Sequence, residues 1–229
     1  MSFDPDRIRA LTFDCYGTLI DWDRGILAAL GEIKALNGCD VERLLREREE
    51  AERSLLGGRF RLYGEILGES LRVAATAQGT TLSQGEIQGF VASMGRWPAF
   101  PDSGKALRRL AARFTLAILS NVETKTLRMS TKFLGAPFVA LVTAEEVQSY
   151  KPAPAHWEEA MKRLHQPRER VLHVAGSLFH DVRPARALGF ATAWINRRGE
   201  PVPEDVDPAG VCPDLASFTL ELCGPEPAA

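Results

Sequence analysis

The chain has 229 residues, 45% hydrophobic and 25% charged, with a formal net charge of −2 and a pI near 6.1. That is the make-up of a globular protein with one large core, or a core plus a smaller unit. It excludes the clustered basic surface that a nucleic-acid partner requires, and no apolar run approaches the length of a bilayer.

The first residues, "MSFDPDRIRA", are polar and charged, unlike a signal peptide. Residues 8–14 then read as a strand: an apolar run, Ile8 to Phe13, stops at Asp14, and a turn opens at Gly17-Thr18. A carboxylate ending a buried strand is costly unless something holds it there. Cys15 alternates to the opposite face from Asp14 and is expected to pack there. With Cys39, Cys212 and Cys223 it forms neither a CxxC pair nor a zinc-spaced set with histidine, so the four are read as free thiols of a reducing cytoplasm.

A helical zone follows over about residues 23–94. Val41, Leu44, Leu45, Ala51 and Leu55 form one stripe, and Leu62, Ile66, Leu67 and Leu71 another. The mixed charges of "RLLREREEAER", Arg43 to Arg53, fit a solvated helix face. Two prolines in "RWPAFPDSG" mark a linker, and Asp102-Ser103 offers an N-cap for a helix over 104–112. The period then changes. Strands are expected over 113–121, 138–144, 170–177 and 190–196, with helices over 123–134, 153–164 and on to Leu188 between them; the tail "PEPAA" is expected to fray.

Apolar strands alternating with helices predict an α/β fold: a doubly wound, Rossmann-like parallel sheet. The all-helical segment after the first strand predicts a cap over the carboxyl ends of the strands, where open α/β sheets place their sites. The expected division is a core of residues 1–20 and 97–229 with a cap of 21–96. Four strand ends carry polar residues: Asp14, Ser120-Asn121, Lys151 in "SYKPAP", and Ser177 with Asp181 in "AGSLFHD". Convergence of these groups on one crevice makes a reaction centre.

The ordered set "FDCYGTL", "ILSN", "YKP" and "GSLFHDVRPARALGF" resembles the four motifs of the haloacid dehalogenase superfamily, over nearly the whole chain. Phosphatase members carry an acid two residues after the nucleophile and a further acid in the fourth motif for Mg²⁺. Here those places hold Tyr16 and Ala175-Gly176-Ser177, so phosphoryl transfer is disfavoured and neither metal nor cofactor is expected. Attack on carbon survives both losses: a halide leaves as the anion of a strong acid and needs no proton. "FDxYGTL" is the motif of the 2-haloacid dehalogenase branch.

The resemblance implies Asp14 as nucleophile, forming an ester that water cleaves. Lys151 is expected to hold Asp14 ionised and oriented, Thr18 to bond its carboxylate, and Asp181 to activate water, with Ser177 beside it. Ser120 and Asn121 are expected to donate to the substrate carboxylate or the departing halide, with Tyr16 also at the substrate. Leu178 stands where the family has an Asn near the water; His180 either assists as base or packs at the cap interface. His156, His165 and His173 are read as structural. A cap arginine near the halide falls at Arg46 by rough alignment, with Arg43, Arg48 and Arg53 as competitors. Trp157 occupies the place of an aromatic pocket wall, although helical core packing explains it almost as well.

The activity so implied is hydrolysis of short 2-haloalkanoic acids to 2-hydroxy acids. The partner is a small carboxylate, with no membrane or nucleic acid, and family members resemble one another in forming homodimers. The same residues permit opening of azetidine-2-carboxylate, whose ammonium leaving group suits an acidic or aromatic cap; Glu49, Glu52 and Glu65 keep that open. A phosphatase and a non-catalytic binding protein of the same fold are the remaining alternatives.

Overall fold

The computed structural model describes residues 4–225. Six strands occur among them: β1 (Ala10–Phe13), β2 (Thr115–Ser120), β3 (Ala140–Thr143), β4 (Val171–Ala175), β5 (Ala191–Ile195) and β6 (Gly210–Cys212). They form one parallel sheet in the order β3-β2-β1-β4-β5-β6. This is a doubly wound order, and its direction reverses between β1 and β4. Helices bury both faces, so the strands are near-continuously apolar.

Period-two alternation sorts the residues of β1 between two cores. Leu11, Phe13 and Cys15 join the larger one, with Leu116, Ile118, Leu172 and Val174. Ala10 joins the smaller one, with Ala117, Leu119, Val171 and the Trp157 and Ala160 side chains of α8 (Ala155–Leu164). Thr12 and Asp14 alternate to this second face.

Between β1 and β2 lie α1 (Trp22–Gly31), α2 (Val41–Leu56), α3 (Tyr63–Ala77) and α4 (Gln84–Ser93). Carboxylates start two of them: Asp21 accepts from Arg24 N at 3.1 Å and Asp40 from Arg43 N at 3.0 Å. Ser83 and Glu86 form a reciprocal capping box at α4. The outgoing and returning chain pair at an antiparallel bridge, Ile20 with Ala99, flanked by Asp21 N to Pro98 O at 2.8 Å and Phe100 N to Leu19 O at 3.0 Å. Tyr150 donates to Arg61 O at 2.8 Å and Gly64 N to Glu123 at 2.5 Å, tying the helical segment to the loops of the sheet.

The rest of the chain adds α5 (Ser103–Ala111), α6 (Thr124–Thr131), α7 (Ala144–Val147), α9 (Arg183–Ala187) and α10 (Leu215–Cys223). β6 and α10 were not anticipated from the sequence, because a three-residue strand in a proline-bounded segment carries almost no periodic signal. Asp102 stands at the start of α5 without capping it; its Oδ2 accepts instead from Leu215 N at 2.7 Å, at the start of α10. The helix expected to reach Leu188 opens with one π-helical turn, Leu178–Val182, before α9. The expected fraying of the tail falls on residues from 226 on, which lie outside the described residues.

Gly25 of α1 faces the ring of Trp97, and a Cβ there would overlap the indole. Gly25→Ala is expected to lower stability by about 1–3 kcal/mol through overpacking, read as a lower urea midpoint with unchanged far-UV dichroism. An unchanged midpoint would show that Trp97 yields freely.

Candidate active site

Asp14 follows β1 with its N–H still bonded to Val174 O at 3.1 Å, so the sheet ladder fixes its backbone. The chain then turns sharply at Gly17, whose φ of +86° favours glycine. This turn aims Thr18 back: its Oγ1 donates to Asp14 Oδ2 at 2.6 Å and accepts from Gly176 N at 2.8 Å. Gly176 is needed for a different reason, since a Cβ there would lie 2.8 Å from Gly17 O. The loops after β1 and β4 are thus stitched together by one hydroxyl and one close backbone approach.

Lys151 reaches the same point. Its Nζ donates to Asp14 Oδ1 at 2.9 Å, Asp181 Oδ1 at 2.6 Å and Leu119 O at 2.9 Å, which uses all three protons. Burial works against its charge, but Asp14 and then Asp181 outweigh it and raise its pKa. Asp181 shows the mirror image. Burial opposes its charge, while Lys151 and a hydrogen bond from His173 bring its pKa down from 3.8 to about 2. The four groups predicted to act together, Asp14, Thr18, Lys151 and Asp181, therefore meet in one cluster.

The cluster opens into a cavity of about 490 Å³ between the strand ends and the helical segment. Tyr16, Ser120, Asn121, Ser177 and His180 line it, as expected, with Trp22, Tyr63, Tyr150 and Phe179. Their hydrogen bonds refine the expectations. The Tyr16 hydroxyl lies 2.7 Å from Ser130 Oγ, and burial first, then Cys15, raises its pKa above the usual range. The hydroxyl therefore keeps its proton at neutral pH. Asn121 has its amide turned to the lysine loop, with Oδ1 accepting from Lys151 N at 2.7 Å and Nδ2 donating to Lys151 O at 3.1 Å. Where a donor to substrate was expected, the structure has a clamp on Lys151. Ser177 Oγ accepts from His180 N at 3.0 Å and so starts the π turn carrying Phe179, His180 and Asp181. Burial pushes the His180 pKa down against the pull of Asp181, so its ring is neutral at pH 7.

Two sequence expectations are corrected. Arg46 is exposed on α2 and does not reach the cavity; Arg48 and Arg53 do, and of these two Arg48 is the buried one, 2% exposed. Helix period explains the shift, because Leu44 and Arg48 are one turn apart on the buried stripe. Arg48 is ion-paired with Glu52, and its guanidinium lies 5.7 Å from the centre of the Trp22 ring. Tyr63 donates to Glu52 at 2.6 Å. Trp157 is no cavity wall. It is 1% exposed in the core under the sheet, edge-on to His173 at 5.5 Å.

Sequence reading missed His173. Its ring bridges Asp181 Oδ1, 3.1 Å from Nε2, and Thr12 Oγ1, 2.9 Å from Nδ1. The signal was there in a polar residue two places before Asp14, on the face of the nucleophile, and a histidine interrupting "VLHVA". Thr12 and His173 are partners in the β1–β4 register. Cys15 packs as expected: it is fully buried, and burial followed by Asp14 raises its thiol pKa well above the usual range. All four cysteines are free.

A divalent cation does not fit this donor set. The space between Asp14 and Asp181 is filled by the Lys151 ammonium, Tyr16 turns its hydroxyl to Ser130, and Gly176-Ser177 brings no carboxylate.

The lowered Asp181 pKa makes stability pH-dependent with a definite sign. Between about pH 4 and pH 2 the unfolded chain takes up a proton that native Asp181 refuses, so stability falls as pH falls. About 2 kcal/mol, present above pH 4, is lost through this group. Urea titrations of wild type and Asp181→Asn from pH 6 downwards are expected to converge by that amount, and parallel curves would refute the assignment.

The sequence model of the haloacid dehalogenase-like hydrolases matches residues 8–189, which contain every member of the cluster. The chain is 29% identical to an (S)-2-haloacid dehalogenase of Pseudomonas putida, over 93% of its own length and 95% of that protein's. It is 30% identical to (S)-2-haloacid dehalogenase 1 of Pseudomonas sp. strain CBS-3, over 86% and 88%. The crystal structure of the L-2-haloacid dehalogenase RSc1362 superposes with a TM-score of 0.82 at 26% identity, covering 94% of this chain and 98% of that one. With the family match spanning most of the chain and the parallel sheet reproduced in a solved relative, the protein belongs to the haloacid dehalogenase-like hydrolase family.

Proposed function

We propose that the protein is a hydrolytic 2-haloacid dehalogenase working through an aspartyl ester. The observation that carries this reading is Asp14: a carboxylate held by Lys151 and Thr18, with a tyrosine bound to Ser130 where a general acid would serve an alcohol leaving group. An Asp14 oxygen attacks carbon 2 of the substrate and displaces halide. The ester is then cleaved by water that Asp181 deprotonates, with neutral His180 at hand as a second proton acceptor. The curated relatives described above are named for 2-haloacids, and that substrate class is carried to this chain on the strength of the site. Residues 21–96 act as the cap over a core of 1–20 and 97–229, a division supported by the paired crossing at Ile20 and Ala99. The four free thiols support a cytoplasmic location. Homodimer formation rests on the family resemblance.

One observation favours a second reading. Arg48, the buried one of the two arginines that line the cavity, is already ion-paired with Glu52, Glu49 adds a second carboxylate to the lining beside the exposed Arg53, and five aromatic side chains, Tyr16, Trp22, Tyr63, Tyr150 and Phe179, line the cavity with them. Such a wall suits an ammonium leaving group, as in ring opening of azetidine-2-carboxylate by the same attack on carbon.

Halide release from L-2-chloropropionate in EDTA is expected, and Asp14→Asn is expected to lower it at least about a thousandfold. Glu52→Gln separates the two readings. For a dehalogenase it frees Arg48 for the halide and raises kcat/KM for chloropropionate several-fold, whereas loss of ring opening of L-azetidine-2-carboxylate without halide activity would select the second.

A further inference from the structure

His173 has no part in the chemistry assigned so far. Its ring is fully buried on β4, held edge-to-face by Trp157, and engaged at both nitrogens. A carboxylate oxygen accepts, so Nε2 carries the proton toward Asp181 Oδ1 at 3.1 Å. With the ring's proton on Nε2, Nδ1 is the acceptor for the Thr12 hydroxyl at 2.9 Å. Thr12 thereby selects the tautomer, as an orienting group does behind any histidine whose free nitrogen must donate.

The consequence falls on the two oxygens of Asp181. Oδ1 receives two donors, Lys151 Nζ at 2.6 Å and His173 Nε2 at 3.1 Å. Oδ2 is buried and has no hydrogen-bond partner among the described residues. We propose that His173, steered by Thr12, is a positioning residue for ester hydrolysis: with Lys151 it occupies Oδ1 and leaves Oδ2 as the oxygen that takes the proton of water. The proposal rests on the reading of Asp14 as an ester-forming nucleophile and holds for either leaving group.

The water oxygen bonds to Cγ of the Asp14 ester while one of its protons passes to Asp181 Oδ2. The tetrahedral centre collapses, the bond from Cγ to the Asp14 oxygen that carries the substrate carbon breaks, and that oxygen takes the proton from Asp181 and leaves as the product hydroxyl, its place in the carboxyl taken by the water oxygen. The regenerated Asp14 carboxyl gives the second proton of water to solvent. His173 exchanges no proton. Its contribution is aim: it fixes the rotation of the Asp181 carboxylate, which a lone contact to Lys151 would leave freer to turn.

The division of the reaction into two steps supplies the test, because His173 touches the second step alone. His173→Phe keeps a flat ring and removes the donor; His173→Gln restores a donor. Rapid-quench mixing with L-2-chloropropionate follows halide, and intact-protein mass spectrometry follows the Asp14 ester. In His173→Phe a burst of about one halide per site is expected at the wild-type rate. Ester decay is expected to slow roughly ten- to a hundredfold, the worth of one hydrogen bond to a charged group, so that the ester accumulates. His173→Gln is expected to recover most of the decay rate. The acid limb of the decay is expected to move to higher pH, since one of the groups holding Asp181 ionised is gone. The other titratable groups facing Asp181 are Lys151, Asp14, His156 of α8 and His180 of its own turn, and they stay unchanged. Thr12→Val, which keeps the imidazole and removes its orienting hydroxyl, is expected to slow decay in the same direction and serves if His173→Phe fails to fold.

Wild-type decay in His173→Phe, or equal slowing of burst and decay, overturns the assignment of His173 alone. Wild-type protein that forms no Asp14 ester, with chloropropionate or with L-azetidine-2-carboxylate in parallel, overturns the functional reading and this proposal with it.

Discussion

Lys151 Nζ lies between two buried carboxylates, and much of the site is arranged so that it can. An ammonium taken out of water is tolerable only when opposite charge and acceptors replace its hydration, and here Asp14, Asp181 and Leu119 O supply three partners for three protons. The two carboxylates have the same need in reverse: removing Lys151 would leave two like charges with no cation between them. The lysine is in turn kept in place from its backbone. Asn121 grips both the N–H and the C=O of Lys151, so the ammonium does not depend on the flexible side chain alone to find its place. An amide at the end of β2 that reads as a substrate donor is better understood as the part that locates the cation.

Topology brings these groups together before any of them interacts. The sheet reverses direction between β1 and β4, and the ends of these two neighbours supply Asp14 and Asp181. β2, on the other side of β1, supplies Ser120 and Asn121. The loops are then joined by contacts that tolerate little change: Thr18 spans Asp14 and Gly176, and the missing side chain of Gly176 admits the carbonyl of Gly17. The π turn from Leu178 to Val182 presents Phe179 and His180 at the cavity and returns Asp181 to the cluster. Such single turns, tied to an extra residue in a helix, recur at functional positions.

The fold and the centre of the site were legible because both follow from short periods. Alternation along 8–14 places Asp14 at a strand end and Cys15 on the other face, and the repeated strand-helix pattern fixes the parallel sheet. What stayed hidden depends on three-dimensional neighbours. Arg48 is one of four arginines in a stretch where nearly every residue is charged, and burial of its turn distinguishes it from Arg46. Trp157 lies on a helix whose apolar face serves the sheet, so its size says nothing of which side it lines. His173 reads as an oddity in an apolar strand until the register sets it beside Thr12 and the turn brings Asp181 over it.

Attack by a carboxylate on carbon places its demands on the nucleophile and on the water that follows, and few on the identity of the leaving group. The parts that meet those demands come from the sheet: Asp14, Thr18, Lys151, Asp181 and the His173 beneath them. The proposed leaving-group side of the cavity includes the helical segment, where Arg48 and Glu52 form a pair and Tyr63 adds a hydrogen bond to the acid. A pair of this kind presents little net charge, unlike a bare arginine, so an anion leaving toward it has to compete with Glu52 for the guanidinium. Glu52 is held from both sides, by Arg48 and by a tyrosine whose own hydroxyl is kept protonated by burial and by that same carboxylate. In the proposed reaction the chemistry thus draws on the sheet, and the environment of the leaving group draws in part on the helical segment.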